Sequence, residues 1–97
     1  MVYARVAVYR FRPGMAVPAI GRAQAGMLPI FREQPGFVAY EVVKTGDDAA
    51  VSISTWGSAE HARRAVEMAA GWVKDNIGDM VVSVENHVGE VSFSSRG

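Results

Sequence analysis

A helix predicted in the second half of the chain carries four side chains whose types could handle a small molecule. At about 100° per residue, His61, Met68, Trp72 and Asn76 fall within an arc of roughly 80° on one flank of that helix. An imidazole, a thioether, an indole and an amide beside a stripe of Ala and Val are typical of a small-ligand pocket, which has apolar walls and a few polar groups. Tyr40, on a predicted strand, is a fifth candidate because its hydroxyl can orient a phenolic ligand. The sequence therefore predicts a pocket but assigns no catalytic residue.

Each of these side chains also has a structural interpretation, which is the commoner one. Trp72 and Met68 at helical spacing often pack against a neighbouring helix. His61 lies in the first turn and can simply be solvated, while Asn76 before Gly78 can cap free carbonyls. Both interpretations stay open at this point.

Glu85 and His87 form a second candidate group, because residues two apart on a strand share a face. They form either an acid–base pair or half of a metal site, or they join Arg5 of an adjacent strand in a charge cluster between two copies of the chain. We favour the charge cluster. With no Cys and two His, the chain has no thiolate chemistry and too few ligands for an expected metal site.

Six elements must position these side chains. Helical periodicity predicts one helix at about Val17–Gln34 and a second from the N-cap Ser58 to about Asn76. Alternation and turn residues predict four strands, at Val2–Phe11, Phe37–Lys44, Ala49–Trp56 and about Met80–Phe93.

The order βαββαβ predicts an α+β, ferredoxin-like domain with a four-stranded antiparallel sheet and both helices on one face. Pro29 falls on the solvent side of the first helix, so we expect a bend there and not a break. Gly89 predicts a bulge or break in the last strand, and Ser94–Gly97 should be loose.

Composition restricts the class of protein. The 97 residues, 49% hydrophobic and 21% charged, fit a single domain covering 1–97. Ten basic and ten acidic side chains balance to a net charge of zero, which disfavours nucleic acid and anionic membranes as partners. No signal-peptide pattern or membrane-spanning apolar run is present, so we expect a cytoplasmic protein.

The first strand has two unequal faces, and this predicts a homodimer. One face carries small residues such as Val6 and Val8, and the other carries Tyr3, Arg5, Tyr9 and Phe11. Because two helices cover only one side of the sheet, a large apolar area remains to be covered by a second copy. We expect the dimer face, packed sheet to sheet, to consist of Tyr3, Arg5, Tyr9, Trp56, Glu85 and His87.

Four features of the chain carry a resemblance to a known family: this element order, the run FREQPGFVAYEVV from Phe31 to Val43, the step STWGSAEHA from Ser54 to Ala62, and the long final strand. In these features the chain resembles the antibiotic biosynthesis monooxygenase-like domains of the dimeric α+β barrel superfamily. The resemblance implies a homodimer with one pocket per subunit, between helices and sheet. Such domains include cofactor-independent oxygenases, haem-degrading enzymes, isomerases and proteins of unknown role.

Haem-degrading relatives present an Asn from the first strand and a Trp and a later His from the second helix. Here the first strand offers Val6 and Val8, the Trp position is Val66, and the helix ends Asp75-Asn76 without a His. We therefore expect no cofactor.

The resemblance favours a cofactor-free oxygenase acting on a small aromatic or quinone-type molecule. The alternative is a non-catalytic, small-ligand-binding or stress-related homodimer, so whether the chain is an enzyme stays open. A nucleic-acid-binding module ranks third, because the chain is neutral and lacks the aromatic RNA-binding strand motif.

Overall fold

The computed structural model describes residues 1–95, with the elements in the predicted order. A single turn of 3-10 helix, Gly78–Met80, precedes the last strand. The strands form one antiparallel sheet in the order β2-β3-β1-β4, which confirms the ferredoxin-like prediction. The elements are β1 Tyr3–Phe11, α1 Ala16–Arg32, β2 Phe37–Gly46, β3 Ala49–Trp56, α2 Ala59–Asn76 and β4 Val81–Glu90.

Local chemistry accounts for the two helices. Ser58 has extended backbone angles and its hydroxyl accepts from the His61 backbone N–H at 3.2 Å, so it is the predicted N-cap of α2. Helix α1 continues through Pro29, whose exposed position leaves the unpaired carbonyl of the preceding turn toward water. Within residues 1–95, neither helix is long and apolar enough to cross a bilayer.

The last strand differs from its prediction. It ends at Glu90, and Gly89 pairs regularly with Ala4, so the predicted break at Gly89 is wrong. The irregularity in this pair of strands lies instead between Arg10 and Phe11. Residues 91–95 have no regular structure, and the rest of the predicted loose tail lies outside the described residues.

The predicted orientation of the sheet is wrong, because the large side chains point toward the helices. Tyr9 and Phe11 belong to one buried cluster, while Trp56 is fully buried in a second, against which Tyr3 packs. Arg5 is also buried on this side.

The reason for this orientation lies in the helices. The buried residues of α2 are all alanine, and those of α1 are two alanines together with Met27 and Phe31. Where the helix side chains are this small, large strand side chains fill the space between helix and sheet. The buried alanines are Ala16, Ala19, Ala62, Ala65 and Ala69.

The other face of the sheet, which we call the open face, carries the small branched residues. Val6 pairs with Ile53 and Val8 with Val51, so these four form its centre. His87 and Glu85 lie beside Val6 and Val8 on the edge strand β4. They share a face as predicted, but Arg5 is not with them.

Candidate functional site

A small cavity lies between the two helices and the sheet, and we call it the central cavity. Its volume is about 30 Å³, room for roughly one or two water molecules. Aliphatic side chains such as Ile20, Met27 and Val42 form much of its wall. The side chains that could do chemistry there are Arg5, Tyr9, Tyr40, Ser52 and Trp72.

Arg5 is the unusual member of this lining, because its guanidinium is a buried charge that no described carboxylate neutralises. The residue is 2% exposed. Its Nε donates to Asn86 Oδ1 at 3.1 Å and its Nη2 donates to the Tyr9 hydroxyl at 3.0 Å. Within residues 1–95 no carboxylate forms an ion pair with it. Since neither partner is a carboxylate, the buried charge would attract an anion into the cavity.

Tyr40 reaches the cavity from β2, where its ring meets Phe31 edge to face at 4.9 Å between centroids. Burial raises the pKa of the Tyr40 hydroxyl, with a smaller contribution from Tyr9, while the Ser52 hydroxyl and the Arg5 charge act in the opposite direction. The phenol therefore stays protonated at neutral pH and can serve as a hydrogen-bond donor, not as a base.

Two serines on β3 have different surroundings. Ser54 accepts from Trp56 Nε1 at 2.9 Å, so its hydroxyl is used within the core. Ser52 is 3% exposed and lines the cavity, yet its hydroxyl has no partner in hydrogen-bond geometry within residues 1–95, although it lies near enough to Tyr40 to influence that pKa. A buried hydroxyl without a partner is costly and needs a water or a ligand to satisfy it.

Trp72 separates the central cavity from the surface. Its indole lies against Gly26 of α1, where a Cβ would come within 2.8 Å of the ring. It lines both the cavity and a shallow outer groove formed with Arg22, Ala25 and Asn76. The absence of a side chain at Gly26 therefore lets the Trp72 ring lie directly against α1 and form the wall between the central cavity and the outer groove by itself.

The other predicted pocket residues lie outside the cavity lining. His61 Nδ1 is 3.0 Å from the Ser58 hydroxyl, and Met68 packs against the Trp56 cluster. Asn76 is exposed, and its Nδ2 donates to the Trp72 carbonyl at 2.9 Å. The structure therefore brings Trp72 and Tyr40 together at the cavity and gives His61 and Asn76 helix-end contacts.

Glu85 and His87 interact at the surface. His87 Nε2 lies 2.7 Å from Glu85 Oε1, and their side chains are 61% and 72% exposed for His87 and Glu85 respectively. Among the described residues, no three His, Asp or Glu side chains come together as a possible metal site.

Sequence reasoning missed Arg5, Tyr9 and Ser52 as cavity residues. The alanine-rich inward faces of both helices were the available signal, because they imply that bulky strand residues point inward. The same error affected the comparison with haem-degrading relatives: Val6 and Val8 lie on the open face. In that part of β1, the residues that point toward the helices are Arg5, Ala7 and Tyr9, and none of them is an Asn.

No family model matches this chain, and no curated protein sequence matches it. Several solved structures are similar to it over nearly its whole length. SnoaB, a cofactor-independent oxygenase from Streptomyces nogalater, aligns with a TM-score of 0.73 at 18% identity over 99% of this chain and 98% of its own. The monooxygenase ActVA-Orf6 of Streptomyces coelicolor, solved with nanaomycin D, aligns at 0.76 and 14% identity over 95% and 88%.

A protein of unknown function from Nitrosomonas europaea aligns at 0.78 and 16% identity over 97% of this chain and 92% of its own. These likenesses cover nearly the whole chain and are likenesses of structure. The chain has the fold of the antibiotic biosynthesis monooxygenase-like proteins.

Proposed function

We propose that the protein is a homodimer in which each subunit oxidises a small aromatic molecule with dioxygen, without a bound cofactor, in the central cavity. The observation that carries this proposal is the lining: the aromatic side chains Tyr9, Tyr40 and Trp72 line the cavity together with the buried Arg5 cation, which has no ion-pair partner within residues 1–95. The fold shared with a cofactor-independent oxygenase and with a monooxygenase supports the same chemistry.

The chemistry requires an electron-rich substrate anion. A phenol with a free para position reacts with dioxygen to give a para-quinone and water, with one oxygen atom entering the ring and the other leaving as water. The phenolate is the electron donor, so a group that stabilises it lowers the barrier. The Arg5 charge and the protonated Tyr40 hydroxyl supply that stabilisation. The substrate loses its proton to solvent, since the lining described contains no carboxylate or imidazole.

An aromatic ring does not fit in about 30 Å³, so the cavity must enlarge on binding. A depression of about 220 Å³ lies directly outside it, between α1 and β2. The two share Ile20, Tyr40 and Val42 as walls. Rotation of the Ile20 and Tyr40 side chains would join both volumes and admit one or two fused rings.

Oxygen uptake with 1-naphthol tests the proposal. We expect conversion to 1,4-naphthoquinone with one oxygen consumed per substrate and one ¹⁸O atom incorporated from labelled dioxygen. Tyr40→Phe and Trp72→Phe should lower the rate at least tenfold. Asn76→Ala is the matched control, because this residue on the same helix lies outside the central cavity, and it should leave the rate unchanged.

A non-catalytic ligand-binding protein is the second candidate, and the small volume and the absence of a base from the described lining favour it. Saturable binding of naphthols, followed by Trp fluorescence, without oxygen uptake under any condition would support this candidate and contradict the oxygenase.

A second copy of the chain would cover the open face. Val8 is 40% exposed at its centre and Val43 is 49% exposed on the neighbouring edge, although both are apolar. A continuous apolar area on a sheet is typical of a surface that packs against a partner. The large strand residues first predicted for this interface are not available to it, because they lie under the helices.

Sedimentation equilibrium of Val8→Lys tests the dimer. We expect the wild type to be dimeric at micromolar concentration, and Val8→Lys to dimerise at least tenfold more weakly because a lysine ammonium would be buried. Val17→Lys is the control, since Val17 is 62% exposed on α1, away from the open face. A monomeric wild type would contradict the dimer.

A further inference from the structure

A second depression, like the central cavity, is lined by Arg5. We call it the α2–β4 groove, because it runs between α2 and β4. Its volume is about 250 Å³, and it shares Arg5, Tyr9 and Val73 with the central cavity. Most of its wall is aliphatic, built from Ala70, Val73, Val81 and Val84. Unlike the central cavity, it has room for a small molecule without a conformational change.

The polar side chains that line the α2–β4 groove are Arg5, Tyr9, Lys74 and Asn86, and each of them carries a hydrogen-bond donor. Arg5 uses the Tyr9 oxygen and Asn86 Oδ1 as acceptors. Because those oxygens face the guanidinium, the Tyr9 O–H and the Asn86 Nδ2–H₂ point elsewhere as donors. Neither has an acceptor within the hydrogen bonds of residues 1–95. Two donor groups beside the charged guanidinium, the Tyr9 O–H and the Asn86 Nδ2–H₂, thus border one groove with no acceptor assigned to them within residues 1–95.

The charge of the groove has one sign. The buried Arg5 and the exposed Lys74 both line it, and no carboxylate is among its described lining residues. Arg5 is 2% exposed, so its charge is poorly screened by solvent and its attraction for an anion is stronger than that of a surface arginine. A carboxylate satisfies such a site because it is acceptor-only and negatively charged.

We propose that the α2–β4 groove binds an amphipathic carboxylic acid. Its carboxylate accepts from Arg5, with the Tyr9 hydroxyl and the Asn86 amide as the neighbouring donors, and its hydrocarbon part lies on Val73, Val81 and Val84. Lys74 contributes long-range attraction. The groove shares Arg5, Tyr9 and Val73 with the central cavity, but Ala70, Val81, Val84 and Asn86 line only the groove. Binding of an acid there does not require the proposed oxygenase chemistry.

The probe is 1-naphthoate, with 1-naphthamide as its neutral counterpart of the same shape. Two-dimensional ¹H–¹⁵N spectra of the wild-type protein report the Arg5 Nε–H and the Asn86 side-chain amide directly. We expect naphthoate to shift both signals saturably and naphthamide to bind at least tenfold more weakly. Equal affinities, or shifts that avoid both residues, would overturn the proposal even if no variant is made.

Arg5→Met removes the charge and keeps much of the side-chain volume. We expect it to abolish the preference for the acid over the amide. Arg10→Met is the matched control, because Arg10 is exposed on the same strand but faces the other side of the sheet, and it should retain the preference. A preference that survives Arg5→Met would overturn the proposal.

Ala70→Leu fills the groove from its exposed wall without touching the central cavity. It should weaken naphthoate binding at least tenfold, whereas Ala25→Leu on the exposed side of α1 should not. Naphthoate binding unaffected by Ala70→Leu would place the acid elsewhere and overturn the assignment to this groove. None of these measurements involves oxygen uptake, so their failure is distinct from failure of the oxygenase proposal.

Discussion

The two faces of the sheet differ in side-chain size, and each face reflects what lies against it. The helix-covered face carries Tyr9, Phe11 and Trp56, all buried, while the open face carries Val6 and Val8. Large residues are on the covered side because alanine-lined helices leave a wide gap there. A row of aromatic strand residues therefore indicates the width of the adjacent layer, and not by itself a surface for a partner.

The two faces also differ in how exposed their charged side chains are. Glu85 and His87 on the open face are exposed, so water screens their interaction and the pair adds little to stability. Arg5 on the covered face is enclosed with neutral acceptors only. Of the two charged groups, the enclosed one is better placed to bind an anion, because its field is not screened.

The strongest test of the difference compares one residue from each face. Trp56→Ala removes a fully buried ring that meets Phe31 and Phe37 edge to face, and should lower the free energy of unfolding by about 3–5 kcal/mol. In a Val8→Lys background, which weakens the proposed dimer, Val43→Ala on the open face should lower it by less than about 1 kcal/mol. Urea unfolding at one protein concentration measures both. Similar losses would mean that the two faces are equally packed.

Three serines sharpen the comparison at the level of single hydroxyls. Ser54→Ala leaves Trp56 Nε1 buried without an acceptor and should lower the free energy of unfolding by about 1–3 kcal/mol. Ser52→Ala removes a hydroxyl that has no described partner and should be neutral or stabilising. Ser83→Ala, exposed on the open face, is the control and should change little. A large loss for Ser52→Ala would show that its hydroxyl is satisfied in solution, for example by a water.

Two glycines of α1 test how tightly Trp72 closes the covered side. A Cβ at Gly21 would have no neighbouring atom within 4 Å, so Gly21→Ala should raise the free energy of unfolding by up to about 1 kcal/mol through helix propensity. Gly26→Ala forces the Trp72 ring to move and should be less stable than Gly21→Ala by about 1–3 kcal/mol. Thermal and urea unfolding of both variants give the difference. Equal gains would show that Trp72 moves freely and can open the cavity.

The smallest effect is the pH dependence from Tyr40, whose pKa is raised mainly by burial. Above the ordinary tyrosine value of about 10, the unfolded chain loses this proton while the folded chain keeps it, so the folded state is destabilised as pH rises. The free energy of unfolding should therefore fall less between pH 9 and 11 in Tyr40→Phe than in the wild type. An identical fall in both proteins would mean that Tyr40 is not desolvated in solution.

Much of the architecture was accessible from the sequence because it is encoded locally. Ser58 caps its helix and Pro29 is tolerated on the solvent side, as predicted. The element order βαββαβ predicted one four-stranded antiparallel sheet, and the structure has one. The candidate site was predicted only in part, since Trp72 and Tyr40 reach the cavity while Arg5 and Ser52 were not anticipated as cavity residues.

By itself, the sequence determined which segments are helices and strands, their order and the alternation of side chains along each strand. Only the tertiary structure decided which face of the sheet the helices cover. That choice depends on how the volumes of residues from different elements fit together, such as Ala69 on the buried face of α2 and Trp56 on β3. Because the helices cover the face with the large residues, the side chains of β1 face opposite to the prediction and Arg5 lies in the core. The same choice therefore decided where an anion can bind.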